Sequence, residues 1–139
     1  MKYHNLIIEK KEYVFLKRLL NITEFSQDFK TQNSLNKLTK ELNTAQIIDE
    51  EEMPDDVIRF NSIVKISTEN GWKNTLQIVI PSEKDITKNK VSIKTPIAAA
   101  LFGYSENDEL ICDFPVGKKK IKIIAVQQDK NSKKIEVLL

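Results

Sequence analysis

The residues whose types could do chemistry are few: His4, Cys112, the acids Glu24 and Asp28, and the run Lys118-Lys119-Lys120-Ile121-Lys122. A catalytic centre needs a base, a nucleophile and an orienting group within reach of one another. His4 is the only histidine and stands next to the N-terminus, so it reads as a surface bystander rather than a general base. Cys112 is the only cysteine, which excludes an internal disulfide and suits a reducing cytoplasm. Within an alternating strand such a thiol is by default a small buried apolar group. There is no CxxC, HExxH, P-loop or GxGxxG, so zinc and nucleotide sites have no support. Glu24 and Asp28 are separated by Phe25, Ser26 and Gln27 across a polar turn, a poor arrangement for holding one Mg²⁺ with closely set oxygens. The lysine run alternates through Ile121, Ile123 and Ala125, which describes the solvated face of a strand rather than a phosphate-binding patch. No catalytic residue, metal or cofactor follows from these residues. The chain is not expected to be an enzyme.

What must position them is a chain of 139 residues, enough for one ordinary domain or a small domain with an appendage. The longest apolar run near the N-terminus, Leu6-Ile7-Ile8, is too short for a membrane span or a signal-peptide core. Net charge is +2, unevenly spread. Residues 1–48 carry 8 basic and 5 acidic side chains, residues 49–56 none and 6, and residues 57–139 carry 14 and 9. An acidic belt thus separates two mildly basic parts. Arginine occurs only at Arg18 and Arg59, and no basic stripe interleaved with aromatics marks a nucleic-acid surface.

Glu9 to Asn21 reads as a helix, with Tyr13, Leu16, Leu19 and Leu20 at helical spacing. After a turn at residues 21–27 a second helix is expected from Asp28 to Ile47, its seam formed by Leu35, Leu38, Leu42 and Ala45 in heptad steps. The nearest partner for that seam is the first helix, which gives a short antiparallel coiled coil. The belt Asp49-Glu50-Glu51-Glu52 reads as a solvated linker, ended by Pro54. From Val57 onward the period is two. Strands are expected at Ile63–Ile66, Trp72–Ile80, Val91–Ile93, Glu109–Phe114, Lys118–Gln127 and Lys133–Leu138. Between them Thr95 suits a helix N-cap, Pro96 the first helical position and Gly103 the left-handed C-terminal cap. The fold class is α+β: a helical hairpin in residues 1–52, then an antiparallel sheet with one short helix in residues 53–139.

Three stretches carry a more specific pattern. Leu38-Thr39-Lys40-Glu41-Leu42-Asn43-Thr44-Ala45 leads through Met53-Pro54-Asp55-Asp56-Val57 to Asn61-Ser62. Thr75 to Asp85 forms a strand and loop. Ser92, Thr95-Pro96, Ala100-Leu101, Gly103 and Asp108 fit the pattern S-x-x-[ST]-P-x-x-x-A-L-x-G-x-x-x-x-D, followed by Pro115-Val116-Gly117. Together they resemble the Gre-factor superfamily of bacterial RNA polymerase secondary-channel proteins. The short helical part and the Glu51-Glu52-Met53-Pro54 junction are similar to its Rnk branch. The transcript-cleavage factors GreA and GreB have a hairpin about twice as long, with two acids at the tip.

The resemblance implies an FKBP-like globular domain that docks on the rim of the RNA polymerase secondary channel and points the hairpin inward. By the same resemblance, Lys94, Thr95, Pro96 and Ile97 are the docking residues and Glu24, Phe25 and Asp28 the hairpin tip. GreB-type proteins have an aspartate where this chain has Lys94. A cytoplasmic monomer is implied, touching DNA only through the polymerase. The expected role is an elongation regulator that does not cleave transcripts. One alternative is a true cleavage factor. The other is a peptidyl-prolyl isomerase whose pocket would draw on Phe60, Trp72, Phe102, Tyr104 and Phe114.

Overall fold

The computed structural model describes residues 2–22, 29–114 and 117–137. The chain opens with a strand, β1 (Ile7–Glu9), which the sequence pattern does not assign: it expects the first helix to begin at Glu9. It pairs in parallel with β2 (Gln46–Ile48), Ile7 lying opposite Gln46 and Glu9 opposite Ile48. Between the two run helices α1 (Lys10–Ile22) and α2 (Phe29–Leu42). The Glu9 carboxylate accepts the backbone N–H groups of Lys11 and Glu12 at 3.0 and 3.1 Å, which satisfies two of the orphan donors at the start of α1. Helix α2 ends at Leu42, not Ile47. The N–H groups of Asn43 and Thr44 turn back to the carbonyls of Lys40 and Glu41, tightening the last turn, and the β-branched Ile47-Ile48 leave as strand.

The larger sheet has the order β5-β4-β3-β7-β6. Its strands are β3 (Ile63–Thr68), β4 (Lys73–Val79), β5 (Lys90–Ser92), β6 (Glu109–Phe114) and β7 (Gly117–Gln127). All pairings are antiparallel except β4–β5, which is parallel with Gln77 opposite Lys90. The expectation of a wholly antiparallel sheet is therefore corrected. The segment from Pro81 to Asn89 contains two 3₁₀ turns and is long enough to return the chain to the end from which β4 began. The strand expected at residues 133–138 does not form over its described part, residues 133–137. Ile135 packs against the core from an irregular segment instead.

One core joins the two parts of the chain. Leu6, Ile8, Leu16, Leu35, Leu38 and Leu42 belong to the same buried cluster as Val64, Ile66, Ile78, Ile121 and Ile123 of the sheet. Helix α3 (Pro96–Leu101) fills the space between, its Ala98, Ala99, Ala100 and Leu101 all buried. The leucine seam of α2 is real, but its main neighbour is α3 and α1 is a minor one. Small alanines on α3 allow that close approach. The phenol of Tyr104 adds a polar tie by donating to the Glu41 carboxylate of α2 at 3.2 Å.

A shared core predicts shared unfolding. Leu38→Ala should cost about 2–5 kcal/mol, the range for a buried leucine. Helix content by circular dichroism and Trp72 fluorescence should then fall in one coincident denaturant transition, both shifted. Two separate transitions would show that the helices and sheet stand independently.

Candidate docking site

The corner before α3 is built from short local hydrogen bonds. The Ser92 carbonyl accepts the backbone N–H of Thr95 at 2.9 Å and its hydroxyl at 2.8 Å. The Ser92 hydroxyl accepts the N–H of Lys94 at 3.1 Å. Thr95 Oγ1 in turn accepts the N–H of Ala98 at 3.4 Å, an N-cap on α3, and Pro96 takes the first helical position. Lys94, Thr95, Pro96 and Ile97 are thereby brought to one corner, each partly exposed. Ile97 also leans on the core, so it holds the corner in place as well as presenting a surface. Gly103 closes the helix at φ +84°, and a Cβ there would stand 3.0 Å from Leu6 Cβ. Glycine is thus required twice over, by conformation and by the close passage of the N-terminal segment.

A separate feature, an ionic junction around Arg59, was missed by sequence reasoning. Arg59 is nearly buried, its side chain 13% exposed. Its Nε donates to Glu12 Oε2 at 2.7 Å, and a second donor, Nη2, meets the same carboxylate. Nη1 and Nη2 donate to the two oxygens of Glu50 at 2.7 and 2.8 Å, a bidentate pair. Glu12 Oε1 accepts the N–H of Phe60 at 3.0 Å, and Glu9 Oε1 stands 4.0 Å from Arg59. The acidic belt is therefore not merely solvated, because Glu50 leaves it to bind Arg59. The only available signal was the rarity of arginine beside a run of acids, which names no partner.

Electrostatics follow from this placement. Burial pushes the Glu12 carboxyl up from its ordinary range, against the pull of Arg59. The Arg59 hydrogen bond holds Glu50 below its ordinary value. Burial opposes the charge of Arg59, yet Glu50 and Glu12 outweigh it and hold the guanidinium above its usual range. A smaller clamp fixes the N-terminus: Lys2 Nζ and the Tyr3 hydroxyl both donate to Asp56, and Lys2 N donates to Asp108 at 2.6 Å. Burial pushes Asp56 up, but these donors prevail and its carboxyl lies below the ordinary value. Desolvation, then the charge of Glu41, raises the Tyr104 phenol.

The remaining candidates disperse. Phe60 and Phe102 meet in the core as tilted rings with centroids 4.9 Å apart, and Tyr104 is buried in the same core cluster. Trp72 lies apart at the β3–β4 turn, so the described aromatics line no proline pocket. Cys112 is buried, as a strand thiol should be. The hairpin-tip residues Glu24, Phe25 and Asp28 lie outside the described residues. Among the described residues no group of three or more His, Cys, Asp or Glu side chains could hold a metal ion, and no helix is long and apolar enough to cross a membrane.

Comparison with known proteins decides the family. Residues 53–128 match the family described as transcription elongation factor GreA/GreB, C-terminal. The chain belongs to the GreA/GreB family. It is 32% identical over 82 residues to transcription elongation factor GreA of Nitratidesulfovibrio vulgaris, covering 58% of this chain and 50% of that one. It is 35% identical over 92 residues to transcription elongation factor GreB of Neisseria meningitidis, covering 65% and 56%. The chain thus spans little more than half the length of these relatives. Among solved structures, a GreA/GreB elongation factor from Nitrosomonas europaea superposes with a TM-score of 0.72 at 28% identity, covering 88% of this chain and 98% of that one. The expectation of a chain with no part in enzymatic work is corrected by these matches. They are to factors named GreA and GreB, the class set apart above for its transcript-cleavage role.

Arg59→Met should expose what the junction does. It leaves Glu12 buried without a cation, at a cost of about 3–5 kcal/mol at neutral pH. An unpaired Glu12 has a folded pKa raised further above its unfolded one, so its stability contribution is present in acid and lost as pH rises. In the parent protein Arg59 holds Glu50 below its ordinary value, so that contribution is lost as pH falls. Urea denaturation at neutral and acidic pH should therefore show the gap between variant and parent narrowing on acidification. A constant gap would mean that Glu12 is not the group at stake.

Proposed function

We propose that this protein is an elongation factor that binds bacterial RNA polymerase at the rim of the secondary channel through the Lys94–Ile97 corner, with helices α1 and α2 directed toward the channel. The observation that carries this reading is the corner itself. Four partly exposed residues are fixed by backbone and side-chain hydrogen bonds ahead of a capped helix, within the stretch that matches the family. A preorganised surface of this kind loses little conformational freedom on binding. Lys94 sets the charge preference, favouring an acidic position on the partner, whereas a factor with aspartate there favours the reverse.

The test is retention of the purified protein by core RNA polymerase. Lys94→Glu combined with Pro96→Ala should weaken retention by about tenfold or more, equivalent to about 1.4 kcal/mol, with circular dichroism unchanged. Undiminished retention by the folded double variant would remove the corner from the interface. Addition to backtracked elongation complexes tests action on the transcript. Shortened RNA that disappears in the Glu24→Ala, Asp28→Ala variant would assign those acids to the reaction.

A further inference from the structure

Ile86 is 96% exposed, against 62% for Ile111, the next among the described large apolar side chains. A lone apolar side chain on a surface is ordinary. What sets Ile86 apart is how firmly it is held in water. It opens the second 3₁₀ turn between β4 and β5, with Asp85 as the N-cap. Asp85 Oδ1 accepts the Thr87 N–H at 3.0 Å and the Thr87 hydroxyl at 2.6 Å. The Asp85 N–H donates to the Lys90 carbonyl at 3.0 Å, and the Asp85 carbonyl accepts the N–H groups of Lys88 and Lys90 at 3.2 and 2.9 Å. The Ile86 carbonyl accepts the Asn89 N–H at 3.1 Å. Asn89 closes the turn at φ +55°, and its carboxamide donates to Asn74 and to the Thr75 carbonyl of β4. A β-branched side chain with few rotamers to lose thus stands on a backbone that is already fixed.

Its place on the sheet adds to this. β5 is an outer strand, with the turn of Ile86 bridged to its first residue and the Lys94–Ile97 corner just past its end. Lys90, paired with Asp85, and Lys94 are at most about 14 Å apart, the span of four extended residues. Ile86 and the corner therefore fit within one protein interface of ordinary size, about 800 Å² a side. Ile86 cannot hold a partner by itself. Burying one isoleucine is worth about ten- to a hundredfold in affinity, whereas even a micromolar complex needs about a millionfold. A contact of that size counts only inside an interface made by its neighbours, and the preorganised surface along β5 is the corner.

We propose that Ile86 is a second, apolar anchor of the docking surface, inserting into an apolar recess on the same RNA polymerase that receives the corner. The anchor presupposes the docking reading of that corner. Lys84, Thr87 and Lys88, all exposed, form the polar rim around it. The two ends of the surface then act by different physics. Lys94 acts through charge, which salt screens, and Ile86 through loss of apolar area from water, which salt does not weaken.

Retention of the purified protein by core RNA polymerase, measured at low and high salt, tests this. Ile86→Ser should weaken retention about tenfold or more at both salt concentrations, with an unchanged thermal midpoint because the side chain is exposed. Ile86→Val, one methylene shorter, should stay within about fourfold of the parent. Lys94→Glu should weaken retention more at low salt than at high salt. Analytical ultracentrifugation without polymerase should give the same mass for the parent and Ile86→Ser. Parent-level retention of Ile86→Ser, equal losses in Ile86→Ser and Ile86→Val, or a loss that vanishes at high salt would each overturn the proposal. So would self-association of the parent that Ile86→Ser abolishes, since the occupant would then be a second copy of the chain. If Lys94→Glu with Pro96→Ala loses retention and Ile86→Ser does not, only the anchor falls. If the parent is not retained at all, the docking reading falls and the anchor with it.

Discussion

The guanidinium of Arg59 is the point on which the arrangement turns. It joins three segments that are distant in sequence: Glu12 on α1, Glu50 in the acidic belt, and its own position at the entry to the sheet. Two carboxylates close to one cation, with a backbone N–H completing Glu12, make the burial of charge tolerable. The apolar core sets how closely α2 approaches α3, whereas the junction fixes where α1 and the belt sit on the sheet. An apolar contact can slide by part of a residue at modest cost. A guanidinium held by a bidentate carboxylate on one side and by a carboxylate tied to a backbone amide on the other cannot. The orientation of the helices relative to the Lys94–Ile97 corner therefore depends on this residue, although Arg59 touches no part of that corner.

The two faces of the sheet differ. One face receives α3 and the leucines of α2 and so forms the core. Capping by Thr95 and the turn at Gly103 hold α3 firmly enough that the residues before it form a fixed surface. The other face carries the exposed Lys120 and Lys122 of β7. Strand alternation produces both from the same residues: each buried isoleucine of β7 brings an exposed lysine beside it.

Much of this was legible in the sequence where the determinant is local. Thr95 as cap, Pro96 at the first helical position, Gly103 as the left-handed stop, and the strands expected at Ile63–Ile66 and Trp72–Ile80 all depend on residues within a few positions of one another. The leucine seam of α2 was legible as a seam, but not what it faces, because a heptad records period and not partner. Strands β1 and β2 were not legible. Each is three residues long, too short to show a period of two: Gln46-Ile47 falls into the end of the expected second helix, and Ile7-Ile8 stands as an unassigned apolar pair. The Arg59 junction lay further out of reach, since Glu12 is 47 residues away and nothing in the local sequence names it. A single arginine near an acidic run looks the same whether it is solvated or buried.

The central claim, that the globular part meets RNA polymerase at the corner before α3, is tested most directly by photo-crosslinking. A photoreactive amino acid at position 94 and a control at position 69, on the exposed turn between β3 and β4, would each be irradiated with core RNA polymerase. A strong crosslink to the polymerase is expected from position 94 and little from position 69. Equal yields from both positions, or none from position 94 while the protein is retained by the polymerase, would contradict it.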